Sequence, residues 1–234
     1  MSIDFSKITT NKNEVLKTSE NINVTDNSLI SFIKQTYLLF AASLMGGAVG
    51  AYLGIPLAKP ISENFWLFVI LEIGLLIGLM FNKNKQGLNY ILLFSFVFMT
   101  GIVSSPLLAQ TLSFSGGSTI IGNAFAMTAT IVALMSYFAI KTEQDYRSFS
   151  KPMFYAVLVI IVFSLLNVFL FESSILSIII SAITVLVFTF MVVIDTQNII
   201  SRNYETPIDG AVALYLDFLN IFLSLINLLN ASKE

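Results

Sequence analysis

The chain has 234 residues, of which 56% are hydrophobic and 11% charged. A soluble domain of this size cannot bury so much apolar surface, so the composition predicts a membrane protein with several spans. The sequence contains no Cys, which excludes disulfides and cysteine-based metal sites, and no His, the residue that most often titrates near neutral pH. Any pH sensing must therefore come from carboxyl groups.

The chain begins with a polar segment, residues 1–28, which mixes both signs of charge and lacks the apolar core of a signal peptide. Its composition is typical of a segment that cannot bury enough surface to fold. We therefore expect a disordered tail over residues 1–28 and a transmembrane domain of seven helices over residues 29–234.

Seven segments are apolar and long enough to cross about 30 Å of hydrocarbon as helices. The second is short and the sixth is long, so their tilt or burial must differ. The fold class predicted from these segments is an all-α integral membrane protein. The predicted spans are residues 30–55, 65–81, 88–109, 119–140, 153–171, 174–200 and 208–230.

Lys and Arg residues are distributed unequally between the two sides of these spans. One side carries ten and the other only Lys59 and Lys233. Basic loops stay in the cytoplasm, so we expect a cytoplasmic N-terminus and an external C-terminus. The abundance of Lys, Asn, Ile and Phe is typical of an AT-rich genome, so we expect a multi-pass protein of a bacterial inner membrane. The ten are Lys7, Lys12, Lys17, Lys34, Lys83, Lys85, Lys141, Arg147, Lys151 and Arg202.

Small residues recur every four positions in the first two spans. Small side chains at this spacing let helix backbones approach closely in lipid, which predicts tight packing of both faces. The alternative is that Gly is simply common in membrane helices. These residues are Ala42, Gly46, Gly50 and Gly54 in the first span, and Gly74 and Gly78 in the second.

Three acidic residues lie well inside predicted spans, away from their ends: Glu72, Asp195 and Asp217. An ionised carboxylate is costly in hydrocarbon, so each is a candidate for function. Asp195 and Asp217 lie at equal separations on either side of Thr206 in the turn between the last two spans, which predicts similar depth and mutual contact. Two carboxyl groups in contact resist double ionisation and share one proton, so this pair could sense pH without His. Glu72 could join the pair or make a separate polar contact.

The last span carries a polar stripe formed by Asp217, Asn220, Ser224 and Asn227. Their spacing puts them on one face of a helix. A helix with such a face should avoid lipid, so we expect this C-terminal helix to lie centrally, wrapped by the other six. The stripe could form part of a polar pathway, or it could only supply hydrogen bonds between helices.

Several stretches resemble the Bax-inhibitor family: "VIDTQNII" and "ALYLDFLNIFLSLINLL" in the last two spans, "FSFVFMTGIVSSPLLAQ" in the third and "GNAFAMTATIVALMSYFAIKT" in the fourth. The resemblance covers roughly residues 30–230. It implies a seven-helix fold with a central last helix and a pH-sensitive calcium leak. Asp195 and Asp217 match the family's di-aspartyl pair, whose protonation state closes and opens the pathway.

The gating pattern of the family is matched incompletely. In some bacterial members an Arg on the second helix latches onto the di-aspartyl pair, but the second span here contains no Arg. Lys83 and Lys85 lie near its predicted cytoplasmic end. Either one of these lysines replaces the latch, or the latch is absent.

The leading functional hypothesis is a passive, pH-gated cation pathway that carries calcium and has no resident cofactor. Ca²⁺ takes six to eight oxygen ligands, so Asp195 and Asp217 with Asn198, Asn220 and water would form a transient site. The alternative is a regulator without transport activity that binds a membrane-bound ATP-dependent protease, as one bacterial branch of the family does. The polar tail would then be its contact surface.

Other classes fit the residues less well. Paired aspartates could activate water in an intramembrane protease, but no Gly-rich loop surrounds "YLDF" to admit a substrate backbone. A proton-coupled transporter would show inverted repeats and broken helices, which are not evident beyond the first two spans. The sequence contains no nucleotide-binding loop or nucleic-acid surface, and we expect a protein without enzymatic activity.

Overall fold

The computed structural model describes residues 5–232, with side chains from residue 27 onward. All regular structure in this part of the chain is helical. The predicted tail, residues 1–28, lies almost wholly outside the described side chains, and its disorder stays a prediction. The helices are α1 (Phe5–Gly54), α2 (Ala58–Glu63), α3 (Phe65–Asn82), α4 (Leu88–Ser113), α5 (Gly117–Lys141), α6 (Ser150–Leu166), α7 (Ser174–Ile200) and α8 (Pro207–Ala231).

Seven helical segments of the described chain are long and apolar enough to span a membrane, which confirms the predicted fold class. The first span joins the later part of α1 to α2 and covers Asn27–Glu63, and each of the helices from α3 to α8 contributes one more span. The second span is 18 residues long, and the sixth is 27. The difference in length predicted from the sequence is therefore present.

The connections between helices alternate between two ends of the bundle. The connections at 83–87, 142–149 and 201–206 share one end, which we call the basic end. The other connections and the C-terminus of α8 lie at the opposite end. The basic end is the side for which the sequence predicts a cytoplasmic location. The Lys and Arg residues in and beside these three connections are Lys83, Lys85, Lys141, Arg147, Lys151 and Arg202.

Helix α8 packs mainly against α1, α4, α5 and α7, so the C-terminal helix is central as predicted. The expectation that all six other helices wrap it is met only in part: Leu79 of α3 packs in one cluster with Ile208 and Tyr215 of α8, but α1, α4, α5 and α7 make most of the contacts. Helix α3 packs chiefly on α4, and α6 chiefly on α7. Both are apolar on nearly every face, so lipid can solvate them and they gain little from a place in the core.

The close approach of α1 and α4 depends on glycine. A Cβ on Gly46 would lie 2.9 Å from the Val97 side chain, and one on Gly50 would meet the backbone of Phe98. The tight packing predicted for the first span is therefore confirmed. The same prediction is wrong for α3. Nothing lies within 4 Å of a Cβ placed on Gly74, and a Cβ on Gly78 would make only an ordinary van der Waals contact. The difference arises because α3 is peripheral.

Helix α4 continues through Pro106 instead of ending there. Proline has no N–H, so the carbonyl of Ile102 loses its usual helical donor. The Ser105 hydroxyl donates to that carbonyl at 2.7 Å. This local hydrogen bond replaces the missing one and allows α4 to reach Ser113.

Candidate functional site

Three consecutive residues near the basic end of α7 contact three different parts of the protein. Successive residues of a helix point about 100° apart, so each can face its own neighbour. Asp195 faces α8, while the Thr196 hydroxyl donates to Ser136 of α5 at 3.1 Å. Gln197 accepts from the backbone of Tyr146 and donates to the carbonyl of Gln144, both at 2.7 Å. The segment that carries Asp195 is therefore fixed on all sides.

Asp195 and Asp217 contact each other across the α7–α8 interface. Their carboxyl groups lie within hydrogen-bonding reach of each other, and the two residues are only 5% and 2% exposed. A carboxylate can only accept, so a hydrogen bond between two carboxyl groups requires a proton on one of them. No amide or hydroxyl among the described residues donates to Oδ2 of Asp217. The contact between Asp195 and Asp217 that the sequence predicts is therefore present.

Tyr204 covers the aspartate pair on the side that faces the basic end of the bundle. The sequence patterns did not single it out. Its hydroxyl donates to Oδ1 of Asp195 at 2.7 Å. Burial, followed by the charge of Asp195, raises the pKa of Tyr204 well above its usual range, so the hydroxyl stays a donor at physiological pH. The available signal was a lone Tyr in the short connection between the two helices that carry the aspartates.

Glycine makes room for the Tyr204 ring. A Cβ on Gly210, in the first turn of α8, would lie 2.9 Å from both Thr36 and Ile199 and 3.3 Å from Tyr204. Contacts of 2.9 Å are closer than carbon atoms normally approach, so the neighbouring side chains would have to move. Gly210 thus allows the 201–206 connection to lie against α8.

Asn198 lies beside the aspartate pair, on the side that faces the basic end of the bundle. Its side chain is hydrogen-bonded to Asp195, and its Oδ1 accepts from Asn203 at 3.2 Å. The structure therefore places Asn198 beside Asp195, and its role as a ligand or pathway residue stays a prediction.

Lys83 binds the α7–α8 connection and not the aspartate pair. Its Nζ lies 2.8 Å from Glu205 and 3.3 Å from Asp209, and Asn84 donates to Glu205 at 2.9 Å. No Lys or Arg among the described residues forms an ion pair with Asp195 or Asp217. The Arg latch on the pair therefore has no equivalent in the part of the chain that the structure describes. We call these contacts the Lys83 clasp, which ties α3 to the segment carrying Tyr204.

The Lys83 clasp is charged throughout the physiological pH range. Hydrogen bonding to Glu205 raises the pKa of Lys83, and hydrogen bonds from Lys83 and Asn84 lower the pKa of Glu205. The Glu205 contribution to stability is complete above its ordinary pKa of 4.5 and disappears as pH falls through the lowered value. The Lys83 contribution is complete below 10.5 and disappears as pH rises. The clasp cannot sense changes near neutrality.

Glu72 is not part of the aspartate pair. It is half-buried on α3 and lies within electrostatic reach of Tyr215. The Tyr215 hydroxyl is hydrogen-bonded to Thr100 and to the carbonyl of Val97 on α4. The arrangement in which Glu72 joins the pair is therefore absent, and the interaction of Glu72 within the described residues is an electrostatic one with Tyr215.

Asn220, Ser224 and Asn227 line one cavity of about 420 Å³ between α6, α7 and α8. Asn227 donates to the hydroxyls of Ser177 and Ser181 at 2.9 and 3.0 Å, whereas Asn220 donates to a carbonyl of its own helix. Three of the four stripe residues therefore face one common space, whose lining mixes polar and apolar side chains. Asp217 does not line this cavity, so the polar face of α8 has two separate parts.

The described residues contain no cluster of three or more His, Cys, Asp or Glu that could hold a metal ion. Asp195 and Asp217 supply two carboxyl groups, and Asn198 and water could add neutral oxygens. Because Ca²⁺ takes six to eight oxygens, this set suits an ion in passage rather than a tightly held one.

Comparison with known proteins gives consistent matches over most of the chain. Residues 29–234 match the family described as inhibitor of apoptosis-promoting Bax1. An uncharacterised protein of Campylobacter jejuni is 47% identical over 219 residues, covering 92% of this chain and 94% of that protein. An uncharacterised protein of Helicobacter pylori is 38% identical, covering 92% and 93%. Protein LIFEGUARD 1 of Arabidopsis thaliana is 30% identical, covering 86% and 88%. The chain belongs to the Bax inhibitor family of membrane proteins.

Proposed function

We propose that the protein is a passive, pH-gated pathway for cations, calcium foremost, in a bacterial inner membrane. The observation that carries this proposal is the buried contact between Asp195 and Asp217 at the interface of α7 with central α8. An ionisable pair inside a membrane domain is expensive, and such pairs usually belong to ion or proton pathways. No Lys or Arg of residues 27–232 forms an ion pair with the two aspartates, which leaves the pair free to respond to pH.

The described conformation corresponds to the closed state. Tyr204 and Asn198 cover the aspartate pair at the basic end, while the polar cavity of Asn220 and Asn227 lies toward the opposite end. With one proton shared, the two carboxyl groups hold α7 and α8 together. Loss of that proton leaves two negative charges in contact, and their repulsion separates the helices.

Calcium replaces the proton in the open state. A divalent ion neutralises both carboxylates, and Asn198 and water complete its shell. The resulting site is weak enough to release the ion, as conduction requires. The predicted orientation places Tyr204 on the cytoplasmic side.

The proposal is tested by calcium flux into liposomes that contain the purified protein and a calcium dye. We expect flux to rise with pH, with a midpoint between about pH 6 and pH 8. Asp195→Asn and Asp217→Asn should each abolish this pH dependence, because an amide and one carboxyl group cannot become doubly charged. Asp145→Asn is the matched control, since Asp145 lies in an exposed connection and pairs with Arg147.

The control should retain the wild-type pH profile. The proposal is wrong if wild-type liposomes carry no more calcium than empty ones. It is equally wrong if both dyad variants keep the wild-type rate and midpoint.

A further inference from the structure

A second, smaller polar cavity lies at the opposite end of the bundle from Tyr204. It has a volume of about 180 Å³, and Gln110 of α4, Ser177 of α7 and Asn227 and Asn230 of α8 contribute to its lining. It shares Ser177 and Asn227 with the cavity of about 420 Å³. No charged side chain among the described residues lines either cavity. Asn227 therefore lies where two uncharged polar spaces meet.

The hydrogen bonds of the two asparagines use their N–H groups. Asn227 donates to Ser177 and Ser181, and Asn230 donates to Thr111 at 2.9 Å. Asn230 is 8% exposed, and its Oδ1 has no hydrogen-bond partner among the described residues. A buried amide oxygen without a donor is costly, so it calls for a partner inside the cavity.

The chemistry left available in this cavity suits a cation. Both N–H groups of Asn227 and one of the two on Asn230 are engaged, so the two amide oxygens are the acceptors left available, and Ser177 adds a hydroxyl. Neutral oxygens of this kind replace part of the hydration shell of a permeating cation. The cavity has room for several water molecules, which can supply the remaining ligands. An anion would find one N–H group, on Asn230, and no positive charge among the described residues that line the cavity.

We propose that Asn227, Asn230 and Ser177 form a second, uncharged cation site at this end of the bundle, which binds a partly hydrated divalent cation. The site rests on the proposed function, because it gives the cation a binding position apart from the aspartate pair. Amides do not titrate, so pH gating stays with Asp195 and Asp217. The second site sets the cation concentration at which flux saturates.

Two opposite substitutions at Asn230 test this site in the calcium flux assay. Asn230→Leu removes the oxygen at similar volume and should raise the half-saturating calcium concentration by about fivefold or more. Asn230→Asp keeps the oxygen, adds a charge and should lower that concentration. The pH midpoint should not move with Asn230→Leu, whereas the dyad variants change the pH profile. Thr111→Val is the matched control, since it removes the partner of the amide nitrogen but keeps the amide oxygen.

A binding measurement separates this inference from the proposed function. Equilibrium binding of radioactive calcium is measured in lipid nanodiscs on protein that already carries Asp195→Asn and Asp217→Asn. In this background, adding Asn230→Asp should increase binding and adding Asn230→Leu should abolish what remains. The inference is overturned if Asn230→Asp and Asn230→Leu, both folded by their melting temperatures, bind calcium equally. Absence of wild-type flux would instead refute the proposed function, and the binding result would still decide the site.

Discussion

At the scale of single residues, the chemistry concentrates where Asp195, Asp217 and Tyr204 meet. The aspartates could be paired from their spacing about Thr206, because an antiparallel pair of helices brings such positions to similar depth. Tyr204 could not be assigned in the same way, since a residue in a connection has no helical periodicity to fix its direction. Its contact depends on Gly210, whose missing side chain leaves space for the ring.

Replacement of Tyr204 by Phe should weaken the closed state. The variant keeps the ring but loses the hydroxyl bond to Asp195, which corresponds to about 1 to 3 kcal/mol for a hydrogen bond to a charged group. We expect calcium flux at acidic pH to rise severalfold over wild type in the liposome assay. Tyr90→Phe, at an exposed position on α4, is the control and should leave flux unchanged. A Tyr204→Phe protein as tightly closed as wild type would remove Tyr204 from the gate.

At the scale of helices, the Lys83 clasp joins the end of α3 to the connection before α8. Helix α3 lies at the periphery of the bundle, with most of its surface toward lipid. Its C-terminus lies at the basic end and meets the α7–α8 connection, which allows Lys83 to bind there. The clasp fixes the segment that carries Tyr204. Exposed ion pairs of this kind contribute little to stability, so its main effect is to restrict where that segment lies.

Lys83→Met should lower the melting temperature at neutral pH by no more than a few degrees. The difference from wild type should shrink below the ordinary pKa of Glu205, 4.5, and vanish as pH falls through the lowered value of this pKa in the folded protein, where Glu205 becomes protonated. Thermal unfolding in detergent at a series of pH values checks this. Lys85→Met, which removes a lysine without an ion pair among the described residues, should melt like wild type at every pH. A changed midpoint of calcium flux in Lys83→Met would contradict the assignment of pH sensing to the aspartates.

At the scale of the whole molecule, central α8 is surrounded by α1, α4, α5 and α7, while α3 and α6 complete the outer surface. This arrangement leaves polar spaces beside α8 and apolar surface toward lipid. The aspartate pair, covered by Tyr204 and Asn198, lies toward the basic end, and the uncharged cavities lie toward the opposite end. The two ends therefore have different chemistry, and the direction of the protein in the membrane determines which compartment each one meets.

The predicted orientation can be measured directly because the chain contains no Cys. Single cysteines at Lys85 and Glu143 mark the basic end, and those at Lys59 and Ser115 mark the opposite end. In intact spheroplasts a membrane-impermeant maleimide should label the second pair and reach the first pair only after lysis. The reverse pattern would place Tyr204 outside the cell and invert the proposed direction of gating.

The sequence by itself determined the seven spans, the predicted basic side and the pairing of Asp195 with Asp217. Hydropathy, charge distribution and helical periodicity are local properties that single segments carry. Tertiary structure decided that Tyr204 covers the pair, that Lys83 binds Glu205 and Asp209, and that Glu72 lies within electrostatic reach of Tyr215. It also separated Asp217 from Asn220, Ser224 and Asn227, the other residues of the polar stripe of α8. These contacts join residues far apart in the chain, and they depend on how whole helices pack, which no single segment specifies.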